Sequence, residues 1–201
     1  MPVVRFVVVV LFAFLVMVLL AACGGGGSDG GDDTSDPFIA QPVDDYPYPA
    51  QMFPAEIGAE GRHFAPGEFQ GYGTQHYDTN PPTSGRHIGE LVQAGIYDTI
   101  VPNEIAVHNM EHGFVIAWYN CNAGAPLSNE ECATLRNELS SVVQPAVAGG
   151  QLVVQTPNPT IDHRIVLTAW QFMDSFEDFD ADRINQFIET FECHYDPEGT
   201  C

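Results

Sequence analysis

Met1 to Ala22 reads as a leader and not as part of a fold. One cation, Arg5, precedes an unbroken apolar run from Phe6 to Leu20, which closes on small residues, the layout of a secretory signal peptide. Residues 24 to 36 then offer only glycine, serine, threonine and aspartate, a flexible acidic linker with nothing to build a core. Proline spacing continues to Pro54, as in an extended arm that is laid on a domain or left in solution. A folded domain is expected from about Gly58, so the division is leader 1–22, linker 23–57 and domain 58–201. About 140 residues remain for folding, enough for one core and too few for two.

The leader ends Leu20-Ala21-Ala22-Cys23, which resembles the lipobox of bacterial lipoproteins, where the cysteine is acylated and becomes the first residue. Cys23 is then a lipid tether to the cell envelope, the domain facing the periplasm or exterior. Gly24 follows it instead of aspartate, which favours the outer membrane in a Gram-negative cell. The alternative is an uncleaved single-pass helix, for which the run is at the short limit.

Six basic residues, all arginine, stand against 27 acidic ones, a formal charge of -21. Such a surface repels nucleic-acid phosphates and anionic headgroups and concentrates cations. Cys121, Cys132, Cys193 and Cys201 remain once Cys23 is acylated. In an oxidising compartment four thiols allow three pairings, and proximity in the chain favours Cys121 with Cys132 and Cys193 with Cys201. A zinc site of four cysteines competes, without a CxxC pair to support it.

Phe114 to Tyr119 is rich in β-formers and predicts a buried strand. Ser128 with Glu131 makes a capping box for a helix that carries Leu135, Leu139 and Val142 on one face and stops near Pro145. Strands are expected over 151–155 and 164–171, a short helix or turn over 85–95, and a last helix with Ile184, Phe187, Ile188 and Phe191 on one stripe. The fold class expected is α+β: one small domain, a short mixed sheet covered by helices, and an irregular N-terminal portion.

Two segments hold the chemistry. Val107-His108-Asn109-Met110-Glu111-His112-Gly113 and Pro81-Pro82-Thr83-Ser84-Gly85-Arg86-His87 contribute three of the seven histidines. His108, Glu111 and His112 spell H-x-x-E-H, the inverted zinc-protease signature with the glutamate as general base. Asn109, the following Gly113 and the strand directly after argue for a loop running into a strand instead. Such a loop can still aim His108 and His112 at one ion, with His87 as a third ligand, His63 as a fourth, Met110 as a thioether donor and Glu111 hydrogen-bonded to a ligand imidazole. Met52 and Met173 are further thioether candidates. Ser84, beside His87, lacks the frame of a hydrolase nucleophile.

These motifs, together with Gly61-Arg62-His63, Gly95-Ile96-Tyr97 and Val166-Leu167-Thr168-Ala169-Trp170, resemble the bacterial and archaeal family of unknown function DUF3105. The resemblance covers the whole domain and implies no activity. Members commonly have leucine at the position of Met110. Imidazoles outside the cytoplasm suit zinc or copper, and a thioether shifts the balance toward copper. The reading is a lipid-anchored protein that binds copper, or alternatively zinc, for storage or transfer and without catalysis. A zinc-dependent hydrolase and a metal-free structural or partner-binding lipoprotein are the alternatives.

Overall fold

A strand buried at every position needs cover on both faces and a neighbour on both edges. Val115–Tyr119 is such a strand. The computed structural model describes residues 40–54, 63–196 and 199–201, all within a unit spanning Thr34–Cys201. The leader, Cys23, the linker as far as residue 39, the expected domain start near Gly58 and Gly61-Arg62 lie outside the described residues.

The described elements are β1 (Gln51–Met52), β2 (Gly95–Ile96), α1 (Asn103–Glu111), β3 (Val115–Tyr119), α2 (Asn129–Ala148), β4 (Val153–Pro157), β5 (Ile165–Ala169), β6 (Phe172–Phe176) and α3 (Ala181–Phe191). The strands form one mixed sheet in the order β1-β6-β5-β3-β4-β2. β4 runs parallel to both β3 and β2, and the other pairs are antiparallel. The α+β class with a mixed sheet is therefore as expected.

Register sorts the faces. Gln155, Ala117, Leu167 and Asp174 lie side by side across β4, β3, β5 and β6. Gln155 bonds to Ser140 and to the Arg136 carbonyl of α2, and Asp174 pairs with Arg183 of α3, so these helices cover that face. Ile116, Trp118, Val154 and Thr168 point the other way and are equally buried. There Trp118 Nε1 donates to Thr168 Oγ1 at 2.8 Å, and the Val101 amide, just ahead of α1, donates to Thr156 Oγ1 at 2.9 Å.

α2 opens on the expected capping box, with Ser128 Oγ accepting from the Glu131 amide and Glu131 Oε2 from the Ser128 amide. It runs past Pro145 to Ala148. A proline this close to a helix end forfeits one backbone bond, and here Gly149 closes the turn on the Pro145 carbonyl. The Cys121–Cys132 and Cys193–Cys201 disulfides both form. The first ties the end of β3 to the start of α2, a short closure of the kind that contributes roughly 2 to 4 kcal/mol.

Two expectations change. Of the short helix or turn expected over 85–95, no helix forms, because its backbone is bonded to α1 side chains. The single strand expected over 164–171 ends at Ala169, and a tight turn at Trp170 and Gln171 returns the chain as β6. Gln171 sits at φ 65°, a conformation that side chains other than glycine and asparagine rarely take. Its backbone bonds to Phe53 and Thr83, and its side chain bridges the Ala40 amide and the Phe53 carbonyl.

The proline-spaced arm is laid on the domain. Gln51 and Met52 extend the sheet as β1, and Tyr46 packs edge-on against Phe187 and Phe191 of α3. Its hydroxyl donates to Asp174 Oδ2 at 2.6 Å, a carboxylate that is 1 % exposed and also bound by Arg183. Burial, and then the Asp174 carboxylate, push the Tyr46 phenol well above its ordinary range. Tyr46→Phe keeps the packing and deletes a bond to a buried charge, so it is expected to lower unfolding free energy by about 1.5 to 3 kcal/mol. Equilibrium denaturation of the variant checks this, and an unchanged midpoint would mean the arm is not anchored here.

Candidate metal centre

The H-x-x-E-H string lies on a helix. α1 runs Asn103–Glu111, its last turn closed by the His112 amide on the His108 and Asn109 carbonyls, which corrects the expectation of a loop. The helix has no apolar stripe, and every residue from Glu104 to Glu111 is buried. Tertiary burial holds it, against the weak propensities of Asn109 and its β-branched neighbours. Gly113 then turns the chain into β3 at φ 78°, where a Cβ would meet Cys201 Sγ at 2.6 Å.

α1 presents Glu104, His108 and Glu111 on one stripe, at i, i+4 and i+7. Glu104 Oε1 accepts the Gly73 amide at 2.7 Å, which ties the preceding loop to the first turn. Asn109 grips the backbone of Val92 from both sides, accepting its amide at 3.1 Å and donating to its carbonyl at 2.8 Å. Beside it, His108 Nδ1 lies 3.0 Å from the Glu90 carbonyl. These bonds pin segment 85–95 along the helix, where a short helix or turn was expected. His87 is thereby seated at 0 % exposure opposite Glu111, which is 2 % exposed. A backbone bridge places His63 next to His87, with the Phe64 amide bound to the His87 carbonyl at 2.9 Å.

Hydrogen bonding fixes which nitrogens are bare. A carbonyl oxygen only accepts, so the Nδ1 of His87, 2.9 Å from the Gly85 carbonyl, carries the ring hydrogen. The same holds for His108 Nδ1 on Glu90. In the neutral rings both Nε2 atoms are lone-pair donors. His87 Nε2 lies 2.9 Å from Glu111 Oε2 without the alignment of a hydrogen bond. His108 Nε2 lies 3.3 Å from His63 Nε2 and 3.0 Å from His112 Nε2. Burial foremost, then the surrounding imidazoles, hold the His108 pKa below its ordinary value against the opposing pull of the Glu90 carbonyl. This favours the neutral ring, the form that ligates metal.

Donor atoms of His63, His87, His108 and Glu111 all lie within 4.8 Å of one another, a group that could hold a metal ion. Three are buried, and His63 is exposed on the solvent side. The expected site residues are thus gathered with two differences. Glu111, expected to hydrogen-bond a ligand, brings its carboxylate into the group itself, and His112 stands beside it through its contact with His108. Met110 is fully buried in the apolar core, roughly 200° around the helix from His108, so it does not face the group. Met52 and Met173 lie on β1, at the edge of the sheet, and on its neighbour β6. Asn109 was legible in the motif but not its role, because a side chain that imitates a strand partner leaves no periodic trace.

Residues 70–201 match the family described as Protein of unknown function (DUF3105), and the chain belongs to it. The matched span includes His87, His108, Glu111 and His112, and His63 precedes it. No curated protein and no solved structure matches the chain.

Asn109→Ala is expected to destabilise the chain by about 2 kcal/mol or more, since it strands the amide and carbonyl of Val92. Denaturant unfolding measures the loss. A change below about 0.5 kcal/mol, the range of ordinary surface substitutions, would contradict the pinning role.

Proposed function

We propose that this chain is an extracytoplasmic, lipid-anchored protein that binds one transition-metal ion through His63, His87, His108 and Glu111 and serves to store it or pass it on. The observation that carries the reading is the commitment of the Nδ1 hydrogens of His87 and His108 to backbone carbonyls. Imidazole ligands of metals are oriented by such outer bonds, and two hydrogen-free nitrogens beside a buried carboxylate make a donor set that a cation would satisfy. Three nitrogens and one oxygen suit zinc or copper(II). The sequence alone favours copper through a thioether. With Met110 in the core that preference loses its support, and a divalent ion is the better match to the donors.

Lipid attachment rests on the Leu20-Ala21-Ala22-Cys23 ending, and two disulfides accord with an oxidising compartment. Among the described residues no helix is long and apolar enough to cross a membrane. Acidic character would enrich cations near the domain and speed their capture.

A zinc-dependent hydrolase is the second reading, favoured by the placement of H-x-x-E-H on a helix. In that reading Glu111 acts as general base for a metal-bound water, whereas the proposed set uses its carboxylate as a ligand. His108→Ala with His112→Ala separates the two: the binding reading expects lost metal with the fold retained, and the hydrolase reading expects loss of a measurable peptidase or esterase activity.

The primary test is the full chain, purified in detergent without chelator and analysed for bound metal. One equivalent of zinc or copper is expected, absent after His87→Ala. With free ion at about a hundred times its Kd, binding should raise folding stability by about 2.7 kcal/mol, and chelation should reverse the accompanying rise in Tm. Equal metal content and equal Tm in wild type and His87→Ala would refute the ligand set.

A further inference from the structure

His63 is the exposed member of the donor group, and it sits on a segment of its own. Residues 63–73 run mostly over the surface. Pro66 and Gly67 form the centre of a turn closed by the Glu68 amide on the Ala65 carbonyl at 3.0 Å, and Gly67 takes the φ of 87° that the second central position of such a turn requires. Phe64 packs on Phe69 with ring centroids 5.5 Å apart, and Phe69 on Tyr72 at 5.3 Å. None of these three rings is part of the apolar core, so the segment is packed by its own side chains, as compact surface loops are.

The two ends are held differently. At the far end the Gly73 amide donates to Glu104 Oε1 at 2.7 Å, a side chain at 0 % exposure on α1, and the Tyr72 hydroxyl donates to Glu90 Oε2 at 3.0 Å. The His63 end rests on the buried half of the site. There the Phe64 amide donates to the His87 carbonyl, and the His63 ring lies edge-on to those of His87 and His108, with centroids 4.9 Å away in each case. Between the ends, Glu68 is a clasp. Its Oε2 accepts the Ala65 amide at 2.9 Å and pairs with Arg86, whose guanidinium also stands 4.9 Å over the Phe64 ring. Arg86 precedes His87, so the clasp joins the segment that carries the exposed ligand to the one that carries a buried ligand. It lies in solvent, the Arg86 side chain 36 % and the Glu68 side chain 47 % exposed.

The geometry points to segment 63–73 as the exchange gate of the metal centre. It turns about its Gly73 end, lifts His63 off the ion and leaves His87, His108 and Glu111 holding it, and the Glu68–Arg86 clasp sets how often this happens. The inference rests on the metal reading above and adds its control. A ligand shell buried all round gives an accepting group no position from which to take the ion. Here one donor leaves with a surface loop that has few apolar contacts to the core, the low-stability kind of element from which lids are drawn. The vacated position then faces solvent, open to a chelator or to the side chain of an acceptor. Because the clasp fastens the gate with or without the ion, weakening it speeds entry and exit alike and leaves Kd where it was.

The experiment follows Zn(II) by stopped flow on full chains in detergent: release into excess chelator, capture from a weak buffer complex, and Kd by chelator competition. Wild type is compared with Glu68→Ala, Glu68→Gln and Arg86→Met, and with Glu189→Gln on the exposed side of α3 as the control for a lost charge. Glu68→Ala and Arg86→Met are expected to accelerate release and capture by the same factor, roughly two- to fivefold for a surface ion pair, at unchanged Kd. Glu68→Gln keeps an oxygen for the Ala65 amide and loses the charge, so its rates should fall between those of wild type and Glu68→Ala. Glu189→Gln should match wild type. Wild-type rates in both Glu68→Ala and Arg86→Met overturn the gate and leave the four-donor site standing. Faster release with unchanged capture also overturns it, since the clasp would then only support the bound form. A wild type that binds no Zn(II) overturns both readings together.

Discussion

Two bonds from imidazole Nδ1 to backbone carbonyls, His87 to Gly85 and His108 to Glu90, decide the character of this molecule. They fix the tautomer and leave bare nitrogen pointing inward, where a buried carboxylate is the nearest group. Without a positive charge the arrangement sets lone pair against lone pair at low exposure, which proteins pair or avoid. His87 Nε2 and Glu111 Oε2 approach to 2.9 Å without the alignment of a hydrogen bond. A metal ion would satisfy all four donors at once.

The fold exists in a form that makes those two bonds. β3 lies buried at the centre of the sheet with α1 feeding directly into it, so the helix end is rigid. Segment 85–94 is then held along α1 by Asn109 and His108 and contains no helix or strand of its own. The proline-rich stretch from Asn80 to Gly85 brings His87 into place, and the Thr83 carbonyl is tied to the amide of Gln171 at the β5–β6 turn. Gln171 in turn holds the N-terminal arm. The site is thus braced from both ends of the chain: by the arm through Gln171, and by the C-terminal tail through Gly113 and His112.

Much of the framework was legible in the residues. The Phe114–Tyr119 run, the Ser128 and Glu131 capping box and the Ile184 to Phe191 stripe each carry a local signal with the correct period, and both disulfide pairs follow from spacing. α1 was not legible, because burial on all sides erases the periodicity that identifies a surface helix and because its polar residues are turned inward to work. β6 escaped for a similar reason: the Trp170 and Gln171 turn lacks the glycine or asparagine that marks a hairpin, and contacts from residues far away in sequence stabilise it. The histidines and Glu111 could be named as one cluster from their motifs. Which of them supply donor atoms depended on helix geometry, and this moved Glu111 inward and Met110 out into the core.

X-ray absorption at the metal edge of the full chain loaded with Zn(II) tests the central claim most directly. The account predicts a first shell of nitrogen and oxygen alone at about 2.0 to 2.2 Å, with the outer scattering of several imidazole rings. A sulfur shell near 2.3 Å, or a shell of water oxygens without imidazole scattering, would contradict it.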